Sequence, residues 1–205
     1  MMGPLLQRSD GEPAQPADDE ILTWVKSCQE GDPRAWRPIY DHHFAMIYRL
    51  TLRMGILERD APDVCQEIFL RAFRNLRAFR GEARFGTWLY RIACNEIWRL
   101  RRKNVLRETL GKLLQLEPTP PQEKPDELAV RNDGLRQLQR VLGAMKPKQR
   151  EVFVLYELES LSMAEIGQVL QCSPETAKSR YRHARADFER IRKQRELVSL
   201  AGGKT

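Results

Sequence analysis

Apolar residues recur at the helical period along nearly the whole chain, and no stretch alternates as a β-strand would. The segment 64–76 is typical: its apolar side chains share one helical stripe, formed by Val64, Ile68, Phe69, Ala72, Phe73 and Leu76. By the same pattern we expect helices over 18–30, 33–54, 60–76, 85–103 and 126–144, with another starting at Pro147. The periodicity therefore predicts an all-α fold.

A proline-rich stretch divides this helical pattern into two parts. Residues 117–125 contain four prolines and no large apolar residue, so they cannot form a helix interior and predict an extended, flexible linker. We therefore expect two small helical domains. The predicted divisions are a disordered lead at 1–17, an N-terminal domain at 18–115, the linker at 116–125, a C-terminal domain at 126–195 and a tail at 196–205.

The charge balance favours a partner that carries phosphates. Lysine and arginine number 35 against 28 acidic residues, which gives a net charge of +7. A basic membrane-surface protein would show the same balance, so nucleic acid is only modestly favoured. No apolar run approaches the roughly 18 residues that a membrane span needs, and the first residues do not resemble a signal peptide. We therefore expect a cytoplasmic protein.

The cysteines and histidines do not suggest a metal site. Cys28, Cys65, Cys94 and Cys172 are scattered without a CxxC pair, and the histidines lie at no metal-site spacing from them. We expect reduced cysteines that serve as small core or turn residues, with no bound metal and no cofactor.

Two short helices are predicted in close succession near the C-terminus. Ser162 and Glu165 form a capping box for the first helix, and Ser173-Pro174 is a cap followed by proline that starts the second. This layout is that of a DNA-reading helix-turn-helix. Around the second helix, one stripe should face the core: Ala177, Tyr181, Ala184, Phe188 and Ile191.

The opposite side of that helix exposes Lys178, Ser179 and Arg182, with Glu175 near its start. Such side chains suit base edges and phosphates. From the residues alone, a solvated charged face on an ordinary helical hairpin remains the alternative.

The C-terminal strings resemble domain four of the extracytoplasmic-function sigma factors. The matching runs are KPKQREVF at 146–153, LSMAEIG at 161–167 and TAKSR at 176–180. The departures from the family pattern are Glu175, Ala177, Tyr181 and His183, of which Glu175 and His183 lie on or beside the reading side. The resemblance implies that six residues read the −35 promoter element: Glu175, Thr176, Lys178, Ser179, Arg182 and His183.

Two N-terminal strings resemble the same family. The run 60–73 is similar to the family's polymerase-docking helix, which implies contacts to the polymerase core from Asp60, Asp63, Gln66, Glu67 and Arg71. The run 79–93, FRGEARFGTWLYRIA, is similar to the segment whose loop captures an unpaired base of the −10 element. That loop corresponds here to Arg80, Gly81, Glu82, Ala83 and Arg84.

Two further features of the N-terminal half follow from the residues. Phe85, Trp88, Leu89 and Ile92 are expected in the domain core. Arg99, Arg101, Arg102 and Lys103 form a basic helix end, which beside a DNA-reading loop is expected to contact phosphates. On chemistry alone, plain solvation is the better explanation of the polar face of 60–73, and a solvated helix end remains the alternative for the basic residues.

The resemblance as a whole implies an alternative sigma factor, not an enzyme, that gives RNA polymerase its promoter specificity. The implied partners are the polymerase core, promoter DNA and an anti-sigma factor, with no small-molecule substrate and no membrane span.

An enzyme is the first alternative, but no phosphate loop, nucleophile elbow or HExxH appears. A second alternative is a free-standing helix-turn-helix regulator, and the two N-terminal sequence motifs argue against it. A third is a helical adaptor that does not bind DNA, and the exposed face from Lys178 to Arg182 argues against that.

Overall fold

The computed structural model of the protein describes residues 18–113 and 133–202, and within these ranges it contains helices and turns but no strand. Each half forms one helical domain. The N-terminal helices are α1 (Asp18–Gln29), α2 (Trp36–Arg53), α3 (Ala61–Asn75) and α4 (Phe85–Leu113), with single 3₁₀ turns at Pro33–Ala35 and Leu76–Ala78. The C-terminal helices are α5 (Asp133–Ala144), α6 (Pro147–Phe153), α7 (Met163–Leu170) and α8 (Pro174–Gly202), with a π-helical turn at Val154–Leu158 after α6.

Several helix starts follow from local chemistry. The Asp32 side chain accepts a hydrogen bond from the Arg34 amide at 3.0 Å, and Pro33 occupies the first position of the turn that leads into α2. Ser173 Oγ likewise accepts from the Thr176 amide at 3.1 Å, directly before Pro174 starts α8. The sequence predicted one continuous second helix; its first three residues instead form a 3₁₀ turn.

The N-terminal domain encloses an apolar core between its four helices. The largest fully buried side chains are Ile39, Ile47 and Leu50 of α2, Ile68 of α3, and Leu89 and Ile97 of α4. Complete burial of such a side chain contributes about 1.5–3 kcal/mol. This core is therefore large enough to fix the positions of α3 and α4, which carry most of the functional residues predicted in this domain.

Two residues differ from their predicted places in this core. Most of the α3 stripe is buried, but Phe73 is 41% exposed and packs edge-on against Trp36, with ring centroids 5.2 Å apart. Phe73 lies at the edge of the apolar stripe, where Trp36 at the start of α2 covers only one side of its ring. Ile92 is half-buried, whereas Phe85, Trp88 and Leu89 are buried as predicted.

The C-terminal domain packs α5, α6 and α7 against the N-terminal half of α8. Leu142, Val152, Leu155 and Ile166 are fully buried in it, and Phe153 stacks on Phe188 with ring centroids 4.4 Å apart. The helix α8 continues through Gly202, beyond the predicted domain end at 195. The predicted lead at 1–17 and linker at 116–125 lie outside the described residues.

Candidate functional site

Helices α7 and α8 form a compact helix-turn-helix. The capping box is present as predicted: Ser162 Oγ accepts from the Glu165 amide at 3.2 Å, and the Ser162 amide donates to Glu165 Oε2 at 2.9 Å. Gln171 takes a left-handed conformation at φ 52° to end α7. A Cβ on Gly167 would lie 2.7 Å from the Cys172 carbonyl oxygen, so only glycine allows the turn to approach α7 this closely.

The predicted −35 residues share one exposed side of α8, here called the reading face: Glu175, Thr176, Lys178, Ser179, Arg182 and His183. All are exposed except Ser179, which is half-buried. On the opposite side Ala177 and Ala184 are fully buried, which fixes the rotation of the helix. Thr176 Oγ1 lies 3.0 Å from Ser173 Oγ, so its hydroxyl is engaged in the cap rather than fully free.

Tyr181 was predicted to face the core, but it is only half-buried. Its hydroxyl donates to Glu157 on the π-helical turn, and its ring packs against Tyr156 at 4.4 Å between centroids. Burial, together with the Glu157 carboxylate, raises the pKa of Tyr181 to about 12. Tyr181 thus links α8 to the π-helical turn after α6 through a polar contact.

The predicted −10 residues form an exposed loop between α3 and α4, here called the base loop (80–84). Arg80, Gly81, Glu82 and Arg84 are exposed and Ala83 is half-buried. Phe79 and Phe85 flank the loop, both buried and 5.4 Å apart between ring centroids. The loop is thus anchored firmly at both ends while its polar side chains face solvent. Arg84 makes an exposed ion pair with Asp18 at 3.4 Å.

The predicted polymerase-binding residues line the outer side of α3. Asp60, Asp63 and Gln66 are exposed, whereas Glu67 and Arg71 are half-buried. Arg71 Nε lies 2.9 Å from Glu67 Oε1 and 2.7 Å from Glu96 Oε2 on α4. Glu96 is almost completely buried and was not identified from the sequence. In the sequence, Glu96 is indicated only by its position three residues before Arg99, a spacing at which a glutamate and an arginine can pair along one helix.

The predicted phosphate-binding residues do not form one exposed cluster. Arg102 and Lys103 are exposed, but the Arg99 guanidinium donates two bonds to Glu96 Oε1, at 2.5 and 3.0 Å. Arg101 is half-buried, and this burial lowers the pKa of its guanidinium. Arg99 is exposed as well but pairs with Glu96, so Arg102 and Lys103 are the two of these four cations that are both exposed and unpaired among the described residues.

Other kinds of site find no support in the described part of the chain. Residues 18–113 and 133–202 contain no group of three or more histidine, cysteine, aspartate or glutamate side chains placed to hold a metal ion. Cys65 and Cys94 are buried, Cys28 and Cys172 half-buried, and all four are free thiols. Among the described helices, none is long and apolar enough to cross a membrane.

Comparison with known proteins gives a consistent result for both domains. Residues 39–106 match the family model for Sigma-70 region 2, and residues 135–188 match the model for Sigma-70, region 4. The chain is 32% identical over 178 residues to the ECF RNA polymerase sigma factor SigW of Bacillus subtilis, covering 83% of this chain and 94% of that protein. It is 30% identical over 187 residues to the ECF RNA polymerase sigma-E factor of Escherichia coli K12, covering 82% and 90% respectively.

Two solved structures share the fold. CnrH, solved in complex with the cytosolic domain of CnrY, aligns with a TM-score of 0.63 at 23% identity, covering 92% of this chain and all of that one. The sigma factor RpoE of Bartonella quintana, solved with the anti-sigma factor NepR, aligns with a TM-score of 0.54 at 18% identity, covering 85% and 95%.

Proposed function

This chain belongs to the extracytoplasmic-function sigma factors of the sigma-70 family, and from that premise we propose which of its surfaces perform each task. A sigma factor is not an enzyme; it binds RNA polymerase and directs initiation to particular promoters. We assign the −35 element to the reading face of α8, the −10 element to the base loop, and the polymerase core to the outer side of α3.

The observation that carries the proposal is the reading face itself. Five of its six side chains are exposed, while the opposite stripe of α8 is locked into the domain core through Ala177 and Ala184. Arg182 can donate two bonds to a guanine edge, and Lys178 can bind a base acceptor or a phosphate. A rigid helix that presents arginine, lysine and hydroxyl groups on one side has the donors that the major groove of DNA accepts.

The N-terminal surfaces suit their assigned partners in chemistry. The base loop offers two arginines, a carboxylate and backbone amides, which can bind the free edge of an unstacked base. The outer side of α3 offers carboxylates and an amide, which can pair with arginines of a partner helix. The exposed cations Arg102 and Lys103 add phosphate contacts that give affinity without specificity.

Two further parts of the proposal concern regulation and location. CnrH and RpoE were each solved with a protein partner, named as an anti-sigma factor for RpoE. We propose that this chain is likewise held by an anti-sigma factor. Because its task requires RNA polymerase and promoter DNA, we also place it in the cytoplasm.

The test is transcription by purified core polymerase, with and without the protein, on a promoter library in which both elements are randomised. Arg182→Ala should weaken use of preferred −35 sequences by about 1–3 kcal/mol and relax the preference at one position. Lys193→Ala is the matched control, because Lys193 is exposed on the same helix but lies about 16 Å further along it. Substitutions at Arg80 or Arg84 should alter the −10 preference instead.

The competing function is a free-standing regulator with the same helix-turn-helix. Alone, a sigma factor of this size should bind DNA weakly and with strong salt dependence, because its contacts are few. Nanomolar binding to a palindromic site by a dimer of this protein, without new start sites when core polymerase is added, would establish the regulator in place of the sigma factor.

A further inference from the structure

Helix α1 holds the chain just before the base loop through one side chain. Gln29, the last residue of α1, donates from Nε2 to the Leu76 carbonyl oxygen and to the Phe79 carbonyl oxygen, each at 2.9 Å. Phe79 is the residue that immediately precedes the base loop. The two acceptors lie 47 and 50 residues further along the chain, so α1 fixes a segment that is distant from it in sequence.

The two bonds use the full donor capacity of the Gln29 side chain. A primary amide nitrogen carries two hydrogens, and each of them here has its own carbonyl acceptor. The opposite orientation of the amide would set its oxygen against two carbonyl oxygens, so the nitrogen must face this segment. Gln29 is half-buried, and reduced contact with water strengthens both bonds.

The acceptors belong to the end of a helical segment, where backbone carbonyls lack partners along the helix. The 3₁₀ turn Leu76–Ala78 ends at Phe79, whose backbone is extended at φ −74° and ψ 116°. The Leu76 carbonyl also accepts from the Phe79 amide at 3.0 Å. Gln29 therefore caps the end of this turn from a different helix, at the point where the chain changes from helical to extended.

The other attachments of the base loop fix its position more than its orientation. Phe79 and Phe85 are buried at its two ends, but apolar burial is non-directional. Arg84 pairs with Asp18 at the start of α1, yet these side chains are 72% and 67% exposed, so water screens the pair. The bonds from Gln29 are directional and therefore supply what burial does not.

The Phe79 carbonyl transmits this orientation into the loop. It shares one planar peptide unit with the Arg80 amide, so a bond that fixes the carbonyl also fixes the direction of the Arg80 N–H. Arg80 is the first residue of the base loop, and its amide is the first of the backbone donors that the loop offers. Gln29 thus sets the direction in which the loop begins, without lying in the loop itself.

We propose that Gln29 is a positioning residue for recognition of the −10 element and acts by fixing the peptide plane between Phe79 and Arg80. The proposal rests on the proposed function, in which the base loop reads that element. Helix α1 precedes the match to Sigma-70 region 2, which begins at residue 39. Gln29 therefore adds to the −10 site a residue from outside the matched segment.

Three variants separate the two bonds from other effects of substitution. Gln29→Met keeps the approximate length of the side chain but removes both donors. Gln29→Lys supplies donors again at a similar reach and is the rescue variant. Lys26→Met is the matched control, because Lys26 is exposed one turn earlier on α1 and the substitution introduces the same side chain.

The first measurement is hydrogen exchange of the Phe79 amide by NMR, on the free full-length protein. This amide bonds to the Leu76 carbonyl, so its exchange reports local opening of the segment that Gln29 holds. Gln29→Met should accelerate the exchange about tenfold, since two neutral hydrogen bonds are lost. Gln29→Lys should restore the parent rate, and Lys26→Met should leave it unchanged.

The second measurement is transcription by core polymerase from promoters that differ by single bases in the −10 or the −35 element. The ratio between the best and the worst −10 base should fall about tenfold in Gln29→Met, the size of one lost base contact, and should recover in Gln29→Lys. The corresponding −35 ratio should not change. A merely structural role would lower transcription from all promoters by one factor and leave both ratios intact, and the ratios also cancel any uniform phosphate attraction of the added lysine.

The outcomes distinguish failure of the proposal from failure of the base-loop assignment. Equal exchange of the Phe79 amide in Gln29→Met and Lys26→Met would overturn the proposal, because the bonds would then not hold the segment. Faster exchange with an unchanged −10 ratio would overturn it as well, if Arg80→Ala does change that ratio. If Arg80→Ala also leaves the −10 ratio unchanged, the base-loop assignment is wrong and the positioning role is overturned with it.

Discussion

Replacing Glu96 with glutamine tests how the polymerase-binding helix α3 is held to α4. The Glu96 side chain is 1% exposed, and its carboxylate lies 2.7 Å from Arg71 Nε and 2.5 Å from Arg99 Nη2. Arg71 is a proposed polymerase contact, and Arg99 lies on α4 close to the proposed phosphate contacts Arg102 and Lys103. A neutral glutamine keeps the shape of the side chain but cannot balance two guanidinium groups.

The expected loss of stability lies between two limits. Breaking a fully buried ion pair removes about 3–5 kcal/mol, whereas an exposed pair contributes about 0–1 kcal/mol. Here the carboxylate is buried, but the Arg71 and Arg99 side chains are 40% and 46% exposed, so water screens part of the loss. We therefore expect Glu96→Gln to lower the free energy of unfolding by about 2 kcal/mol. For a domain of this size that is roughly 8–16 °C in Tm.

The assay is urea unfolding followed by circular dichroism, with Glu30→Gln as control because Glu30 is exposed and has no side-chain partner among the described residues. A double-mutant cycle with Arg71→Gln should give a coupling energy of at least about 0.5 kcal/mol. The affinity for core polymerase should fall as well, because Arg71 loses its fixed orientation. If Glu96→Gln unfolds at the same urea concentration as Glu30→Gln, the network does not hold the two helices together.

Three further predictions concern other parts of the molecule. The double variant Gln66→Ala, Glu67→Lys should weaken co-purification with core polymerase while its helical content by circular dichroism stays intact; undiminished binding contradicts the α3 assignment. Gly167→Ala should destabilise the C-terminal domain by about 1–3 kcal/mol because its Cβ meets a backbone carbonyl, whereas Gly86→Ala in α4, with open space, should be neutral or slightly stabilising in the same thermal melts. Burial raises the pKa of Glu151 to about 7, so its contribution to stability is present below about pH 4.5 and is lost as pH rises through 7. In unfolding experiments from pH 5 to 8, stability should fall less steeply in Glu151→Gln than in the parent protein, and identical slopes would contradict this.

Features set by short stretches of sequence were predicted well. The capping box of Ser162 and Glu165 and the start of α8 at Ser173-Pro174 depend on residues three or four positions apart. The buried stripe of α8 follows from helical geometry once the start is known, and Ala177 and Ala184 are fully buried as expected. Local rules suffice here because the interacting groups are neighbours along the chain.

Features that depend on distant contacts were not predicted. Phe73 has the right spacing for the core, but its exposure is decided by how Trp36, almost forty residues away, covers one side of its ring. Glu96 looked like an ordinary helix residue, and only the packing of α3 on α4 makes it the shared partner of two arginines. Periodicity gives the direction of a side chain on its own helix; it does not indicate what lies opposite.

The basic end of α4 shows how the same limit affects function. The sequence groups Arg101 with three neighbouring cations as phosphate contacts, yet Arg101 is half-buried close to Gly55 and Arg150. Of these two neighbours, Arg150 comes from the other domain, almost fifty residues further along the chain. Arg101 is thus held partly away from solvent by a neighbour that the pattern of its own helix does not indicate.

The contacts between the two domains are polar and largely buried. Arg53 and Tyr90 of the N-terminal domain donate to Glu159, and Trp98 donates to Glu151. A hydrogen bond to a charged group contributes about 1.5–3 kcal/mol, but the same placement of the domains also desolvates a cation. Burial and the nearby Arg101 charge lower the pKa of Arg150 to about 10, and its Nε is buried without a partner among the described residues. The cost of this desolvation offsets part of the pairing, so the two domains are held in one placement by less than the sum of their hydrogen bonds.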